Sequence, residues 1–553
     1  MFPYRFITAV SLGGAYILSS GRIPQWPVPG FLAAFIALWG IQLFAWAVWA
    51  VLLYPKLFSP LRGLPEPAGN SWFMGQFPVI RALPSGTPMA EWAKSIPNDG
   101  VIRYLGPFNQ ERLLITSPKA LAEVLVTKNY DFIKPSVFRF SLGRVLGVGL
   151  LLAEGDEHKM QRRNLMPAFA FRHVKELYPV FWAKARQGVR AMTEQILQNA
   201  AERPDLEKNT GVVEVGAWAS RITLDIIGLA GLGCDFDSIG NPTSPLNEAY
   251  TCVFSPSRQS RFLQLLGIVT HPRIASWLPV KRNGEINEAV RMIRAECERL
   301  IREKKEKHAR KELTDQDILS VAIESGGFSD ENLVDQLMTF LAAGHETTAA
   351  AVTWAAYLLA KHPEMQDRLR AEIREYLPSL SSADDDSTIS SSEIDRMPYL
   401  NAVCNEVLRY LSPVPMTLRE AACDTSIQGH FVPKGTRIVL APWAINKLET
   451  LWGGNAGEFN PDRWIPQSDH DKHAASGGAT SNYAFMTFLH GPRSCIGQSF
   501  AKGEFACLLA WWVGRFKFEL HNEEDRDEGN IKIASGVTAR PRYGMYLRTT
   551  VLD

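Results

Sequence analysis

In this 553-residue chain the residue best placed to do chemistry is Cys495. It lies in Phe488-Leu489-His490-Gly491-Pro492-Arg493-Ser494-Cys495-Ile496-Gly497, a loop broken by Gly and Pro. The loop runs into an apolar helical stretch, Phe500 to Phe516. A thiol at a helix N-terminus is acidified, because unpaired N–H groups and the helix dipole favour the thiolate. Arg493 adds a fixed positive charge two residues earlier. Gly491 and Gly497 let the backbone approach something flat or bulky. This is how a soft anionic metal ligand is built. A buried structural Cys is the plain alternative. A zinc site is weaker, since His490, Cys495 and Cys507 make no tetrahedral set at finger spacing.

Two further constellations carry charge or hydroxyls at helical spacing. Ala343-Gly344-His345-Glu346-Thr347-Thr348 lies inside the longest helical candidate, Ser329 to Lys361, with Ser329 as cap and Pro363 beyond the end. At ~1.5 Å per residue that helix is roughly 50 Å long. Gly344 weakens it, and the Thr347 hydroxyl can bond back to the Ala343 carbonyl, which bends helices. Glu346 and Thr347 are then a carboxylate and a hydroxyl that could relay protons. Glu406-Val407-Leu408-Arg409 puts opposite charges at i,i+3 on the Met397–Leu411 helical stretch, where a solvated ion pair is the ordinary outcome.

The elements that must position these groups are mostly helical. Helical patterns cover 157–168, 172–200, 218–232 and 285–311, the second and third amphipathic and the last a charged surface helix. Short β-like runs occur at 101–104 and 113–116, and Ser117-Pro118 opens a helix. Ser136 to Gly155, apolar and Gly-rich, suits a loop lining a pocket, with ordinary core as an equal alternative. Thr425 to Pro442 is expected to be one hairpin turning at 433–436. Ser379–Ser392 and Gln467–Asn482 read as solvated polar loops.

Gly30 to Tyr54 carries no charge and is long enough for a ~30 Å hydrocarbon core, so residues 1–54 are expected to be a membrane anchor with its span at 30–54. A second apolar run, 6–20, is either a short second span or an interfacial segment. Lys56 and Arg62 favour a cytosolic flank. Residues 55–67 are Pro-rich and are expected to be a stiff linker, leaving 68–553 as the catalytic body. Net charge is +1, so nothing favours a nucleic-acid partner. Seven scattered Cys without a CxxC pair point to a reducing compartment.

The Cys495 loop resembles the axial-ligand loop of cytochromes P450, F-x-x-G-x-R-x-C-x-G, at every fixed position. The 343–348 stretch is similar to the family's (A/G)-G-x-(D/E)-T-(T/S). Glu406 and Arg409 match its E-x-x-R pair, and Phe459 to Trp464 resembles the loop that supplies a third member, Arg463. The resemblance runs over about 65–553 and is nearest to microsomal fungal members of specialised metabolism. It implies a mainly α fold with small β-sheets and haem b (iron protoporphyrin IX) as cofactor. Cys495 would be the axial thiolate, with Phe488 beside the sulfur and Arg493 on a propionate. His158 and Arg162, in a W-x-x-x-R-like stretch with His for Trp, and Arg419 would also reach propionates. Glu346 and Thr347 would serve dioxygen activation. Phe138, Phe140, Leu146, Ala343, Val414, Met416 and Val537 would wall the substrate pocket; plain core is the alternative for these. Asn446-Lys447 departs from the family's His-Arg and is assigned no haem contact.

The resemblance further implies a monooxygenase at the endoplasmic reticulum membrane, its catalytic body in the cytosol. It would act on an apolar small molecule such as a terpenoid, polyketide or alkaloid. Electrons would come from NADPH through NADPH-cytochrome P450 reductase, with cytochrome b5 as a second donor the family allows. No Rossmann fingerprint is present, so the donor would be another chain. Two alternatives stay open: a haem-thiolate oxidase carrying out coupling, desaturation or multi-step oxidation, and a non-catalytic membrane haem- or lipid-binding protein.

Overall fold

The computed structural model describes the chain apart from residues 1–3, 21–29, 83, 85, 203–206, 255–258, 260–262, 264–265, 268–271, 378–379, 381–387, 467–473, 535 and 553. Its spine is the helix Asp330–Lys361. Ser329 caps it, the hydroxyl accepting from Asn332 N at 3.2 Å. Asp330 and Glu331 in the first turn and Lys361 in the last suit the helix dipole. The next helix, Pro363–Tyr376, starts at the proline that cannot continue it. Residues 333–341 and 348–360 are buried on every face. Val215–Ile227, Lys281–Ala309, Pro398–Tyr410 and Gln498–Arg515 pack around it. Tyr178–Glu202 covers the outer side of Gln498–Arg515, with Trp182 and Trp511 rings 5.0 Å apart. Trp182, Trp354, Trp511 and Trp512 are all fully buried. Each such indole removes enough apolar surface to contribute roughly 4–6 kcal/mol before entropy costs.

Three small sheets sit at the flank of the helices. The largest runs Val101–Leu105, Glu111–Ile115, Arg437–Leu440, Thr417–Ala421, Phe132–Ile133. Only its Glu111–Ile115/Arg437–Leu440 pair is parallel. This sheet brings Arg419 beside Phe132–Ile133, next to the charged pocket described below. A second sheet joins Thr210–Glu214, Tyr546–Val551 and Phe516–Leu520.

Several expectations need correcting. Ser136–Leu146 is a helix, with only the following residues to Glu154 as loop. Gly143 is tolerated within it, and Gly147 (φ +71°) ends it against Asp335, where a Cβ would collide. Thr425 to Pro442 is not one hairpin. Thr425–Ile427 pairs with His430–Val432 through a turn at Gln428 and Gly429, both at positive φ. Arg437–Leu440 instead joins the large sheet. The 172–200 pattern is two helices, Phe171–Glu176 and Tyr178–Glu202. The Pro-rich segment lies against the body: Leu61 and Leu64 are buried, and Pro65 O accepts from Arg103 N at 2.9 Å. Most of the two polar stretches lies outside the described residues. Ser391–Asp395, at the end of the first, is a short helix with a Ser390/Glu393 capping box.

Candidate active site around Cys495

The loop before the thiol is folded back on itself, Cys495 N donating to Phe488 O at 2.8 Å. Leu489 and Gly491 lie at φ +56° and +76°. A side chain at Gly491 would strike the Leu125 carbonyl, so that position accepts only Gly. The helix Gln498–Arg515 begins just beyond, at an N-cap, Gly497, that offers no side-chain acceptor. Cys495 has an accessible side chain, yet the protein around it is dense enough that burial dominates its acidity.

The expectation of an acidified thiol is corrected in its balance. Burial pushes the Cys495 thiol up; a hydrogen bond from Gly497 N–H and the charge of Arg162 pull it down. Arg162, not Arg493, is the cation acting on the sulfur. It also pins the preceding residue, donating to Ser494 O at 2.7 Å and to Ser494 Oγ at 3.2 Å. Phe488 is half-buried against the main core.

Arg493 points into a different environment. Its guanidinium donates to Phe132 O at 3.2 Å, pairs with Glu154 and stacks over Tyr130 at 4.9 Å. Its Nε has no hydrogen-bond partner among the described residues. Around it lie Lys134, His158 and Arg419, all buried. Arg419 donates to Leu418 O at 2.9 Å and is held down to about 10 by burial and by Arg493. Burial brings Lys134 down to about 7, and the charges of Arg419, Arg493 and Arg139 add to this against Glu154. His158 falls to about 4 through burial and the surrounding cations, with its Nδ1 3.4 Å from Tyr130 OH.

Among the described residues these four basic groups share one carboxylate, Glu154, and Arg162 is near enough to act on His158. A buried excess of positive charge is costly unless an anion completes it. A doubly anionic, flat group with a soft-ligand metal fits this donor set: cations for two carboxylates and a thiol for the metal. Haem has that chemistry. Lys134 and Glu154 escaped the sequence reading because they match no motif; a buried Lys before a proline gives no local signal.

A second accessible patch interrupts the buried spine helix. Ala343 is exposed, and Ala342, Gly344, Glu346 and Thr347 are half-buried, between turns that are closed on all sides. Thr347 donates to Ala343 O at 2.9 Å, the back-bond its spacing suggests. The helix nevertheless stays continuous. Gly344 serves packing, since a Cβ there would lie 2.8 Å from Ile227 Cδ1. Glu346 pairs with Arg540 at 3.3 Å; burial raises its carboxyl, while Arg540 and Thr538 lower it. His345 is buried, its Nδ1 2.9 Å from Tyr250 OH. Arg540, from the C-terminal segment, was not found in the sequence, where nothing links it to Glu346. The same holds for Glu504, a fully buried acid on the Cys495 helix. It faces Thr348, is pushed well above the carboxylate range by burial, and has no hydrogen-bond partner for either oxygen among the described residues.

Glu406, Arg409 and Arg463 come together as one buried network. Arg409 forks onto Glu406 at 2.7 and 2.8 Å, and Arg463 Nε reaches Glu406 Oε1 at 3.1 Å. Trp464 Nε1 and Asn460 N fill the remaining acceptor sites at 2.9 and 2.8 Å. Arg409 donates its other hydrogens to the carbonyls of Asn446, Ala456 and Glu458. Asn446 extends the network to the thiol loop, accepting from Met486 N at 2.7 Å and donating to Thr487 Oγ1 at 2.9 Å. The residue left unassigned in the sequence is thus a structural bridge.

Of the expected pocket walls, Phe138 and Phe140 are half-buried on the 136–146 helix, with Arg273 stacked 5.2 Å from the Phe140 ring. Val414 is half-buried, and Met416 packs on the small cluster of Met89, Trp92, Ile102 and Tyr104. Leu146 is 2% exposed. Val537 is exposed.

An accessible thiol ahead of a helix, a buried cationic pocket and a long helix with an acid–hydroxyl pair are the parts that a haem-thiolate site would need. The chain belongs to the cytochrome P450 family, whose model matches residues 65–546. It is 45% identical over 539 residues to cytochrome P450 monooxygenase FUM15 of Gibberella moniliformis, covering 91% of this chain and 90% of that one. It is 46% identical over 514 residues to cytochrome P450 monooxygenase sphH of Aspergillus fumigatus, covering 92% and 91%. Cytochrome P450 monooxygenase ALT8 of Alternaria alternata is 44% identical over 554 residues, with 92% of each chain covered. The chain is a cytochrome P450 monooxygenase by family and by these relatives.

Proposed function

We propose that this enzyme inserts one atom of dioxygen into an apolar small molecule of fungal specialised metabolism. It would work at the endoplasmic reticulum membrane with its catalytic body in the cytosol, and take electrons from NADPH through NADPH-cytochrome P450 reductase. The observation that carries the reading is the cationic pocket of Lys134, His158, Arg419 and Arg493 beside an accessible thiol. The fungal sources of the relatives support the metabolic setting.

When bound, haem b with its thiolate ligand supplies the electron push that favours O–O cleavage. Cys495 would hold the iron, and Arg493, Arg419, Lys134 and His158 the two propionates. Arg162 fixes the Ser494 carbonyl and, through it, the loop that aims the sulfur. Thr347 keeps its hydroxyl proton on the Ala343 carbonyl until an acceptor on the cleft side draws it. Glu346, raised by burial and restrained by Arg540, would resupply that proton once it leaves the guanidinium. Exposed Lys159, Arg163, Arg172 and Lys175, beside the thiol loop, suit an acidic redox partner.

The test is turnover under ¹⁸O₂, with reductase-loaded membranes, NADPH and a panel of apolar metabolites. One ¹⁸O per product supports insertion. A product lacking ¹⁸O points to coupling or desaturation, and NADPH-independent binding alone to a carrier. Thr347→Ala is expected to cut product formed per NADPH by roughly 10²-fold, with the haem spectrum unchanged; unaltered coupling would remove Thr347 from the proton route.

A further inference from the structure

The N-terminal helix Tyr4–Ser19 packs along Phe31–Val48, which continues through a wider turn to Phe58. The contact is inside out relative to a soluble helix pair. Polar groups lie between the helices: Gln42 donates to Ser11 Oγ at 3.0 Å, and Trp39 Nε1 to Thr8 Oγ1 at 3.3 Å. Ser11 is 0% exposed. Large apolar side chains point outward on both helices, Phe6 at 69% and Phe44 at 72% exposed, with Tyr16, Leu32, Ile36 and Ile41 alike. Small residues bring the backbones close. Ala15 is fully buried, and a Cβ on Gly14 would lie 2.7 Å from Leu38 Cδ1. This is how helices pair in lipid, where apolar faces gain nothing by mutual burial and small or polar residues set the contact.

The pairing is antiparallel: the later Gly14 meets Leu38, while the earlier Thr8 and Ser11 meet Trp39 and Gln42, both beyond Leu38. We propose that Tyr4–Ser19 crosses the bilayer beside Phe31–Phe58, making a two-helix hairpin anchor that returns the N-terminus to the side of the catalytic body. This rests on the membrane placement proposed above. An interfacial first helix would lie flat, at a steep angle to a spanning partner, and could not run along it. The first helix has 16 residues, about 24 Å. Against a hydrocarbon core of about 27–30 Å this is a shortfall of a few ångströms, absorbed by local thinning and by Arg5 snorkelling at its start. Ser19 and Ser20 close the other end, their hydroxyls donating to the Tyr16 and Ile17 carbonyls. The charges agree. Arg5 in the first turn of the hairpin, Lys56 in its last turn and Arg62 just beyond share one side, against Arg22 alone in the connection.

The test is glycosylation mapping of the full-length protein in microsomes. One acceptor on a flexible spacer is inserted between Ser20 and Gly30, and in a separate chain another is fused ahead of Met1. The hairpin predicts glycan on the first alone, with the protein retained after carbonate extraction. Glycan at both sites, at the N-terminal site alone, or at neither with the protein still retained overturns the hairpin and leaves the anchor standing. No glycan together with carbonate release overturns the anchor as well. In addition, Ser11→Cys with Gln42→Cys should cross-link on mild oxidation in the membrane; no cross-link would overturn the packing.

Discussion

Two buried ionic clusters of this protein, both close to the Cys495 loop, have opposite balance. In the Glu406–Arg409–Arg463 network every hydrogen-bonding atom of the central pair is engaged, by the partner charge, a backbone carbonyl or an indole. In the pocket of Lys134, His158, Arg419 and Arg493 the cations repel one another around Glu154 and disfavour the charged form of His158, and Arg493 Nε lacks a hydrogen-bond partner among the described residues. The first is finished by the chain alone. The second keeps a positive excess around Glu154, which supports the proposal that it serves an anionic ligand while the first serves the fold.

Breaking the complete network should have the largest effect. Glu406→Gln leaves two buried guanidinium groups uncompensated and should cost ~3–5 kcal/mol of stability, read by denaturant unfolding with or without haem. Arg493→Ala should act differently. It should leave the haem-free fold no less stable, yet weaken haem retention by ~1.5–3 kcal/mol, a tenfold to hundredfold faster loss to apomyoglobin. If Arg493→Ala destabilised the haem-free chain as Glu406→Gln does, the contrast would collapse.

Lys134 sharpens the contrast through pH. Its folded value, about 7, lies below the ordinary 10.5. Between those values an unfolded chain binds a proton that the folded haem-free chain does not. Stability should therefore fall as pH is lowered from 10.5 toward about 7, and level off below. Lys134→Met should flatten that slope in haem-free protein, and holoprotein should show little of it. The smallest change is expected for His158→Phe. At about 4, His158 is neutral near pH 7 and offers a propionate one uncharged hydrogen bond. Its loss should cost about 1 kcal/mol of haem retention.

Much of this site was legible because its parts are local. Cys495 announces itself through Gly491, Pro492 and Arg493, and Glu406–Arg409 through helical spacing. Ser329 and Pro363 bound the spine helix by capping chemistry alone. The partners that set the electrostatics were not legible. Lys134, Glu154, Arg540 and Glu504 reach the site by tertiary folding, and each taken singly reads as an ordinary charged residue. The same limit explains the misread elements. Alternation in 425–442 marks strands without naming their partners, and the glycines of 136–155 hid a helix whose end, not its middle, needs Gly147.

The central claim is that Cys495 is the metal-bound thiolate of a haem held by the cationic pocket. The direct measurement is the absorption spectrum of dithionite-reduced, CO-saturated protein, native and Cys495→Ser. The account predicts the red-shifted Soret band of thiolate ligation in the native protein and its absence in Cys495→Ser. A native Soret band without that shift, or a shifted band that persists in the variant, would contradict it.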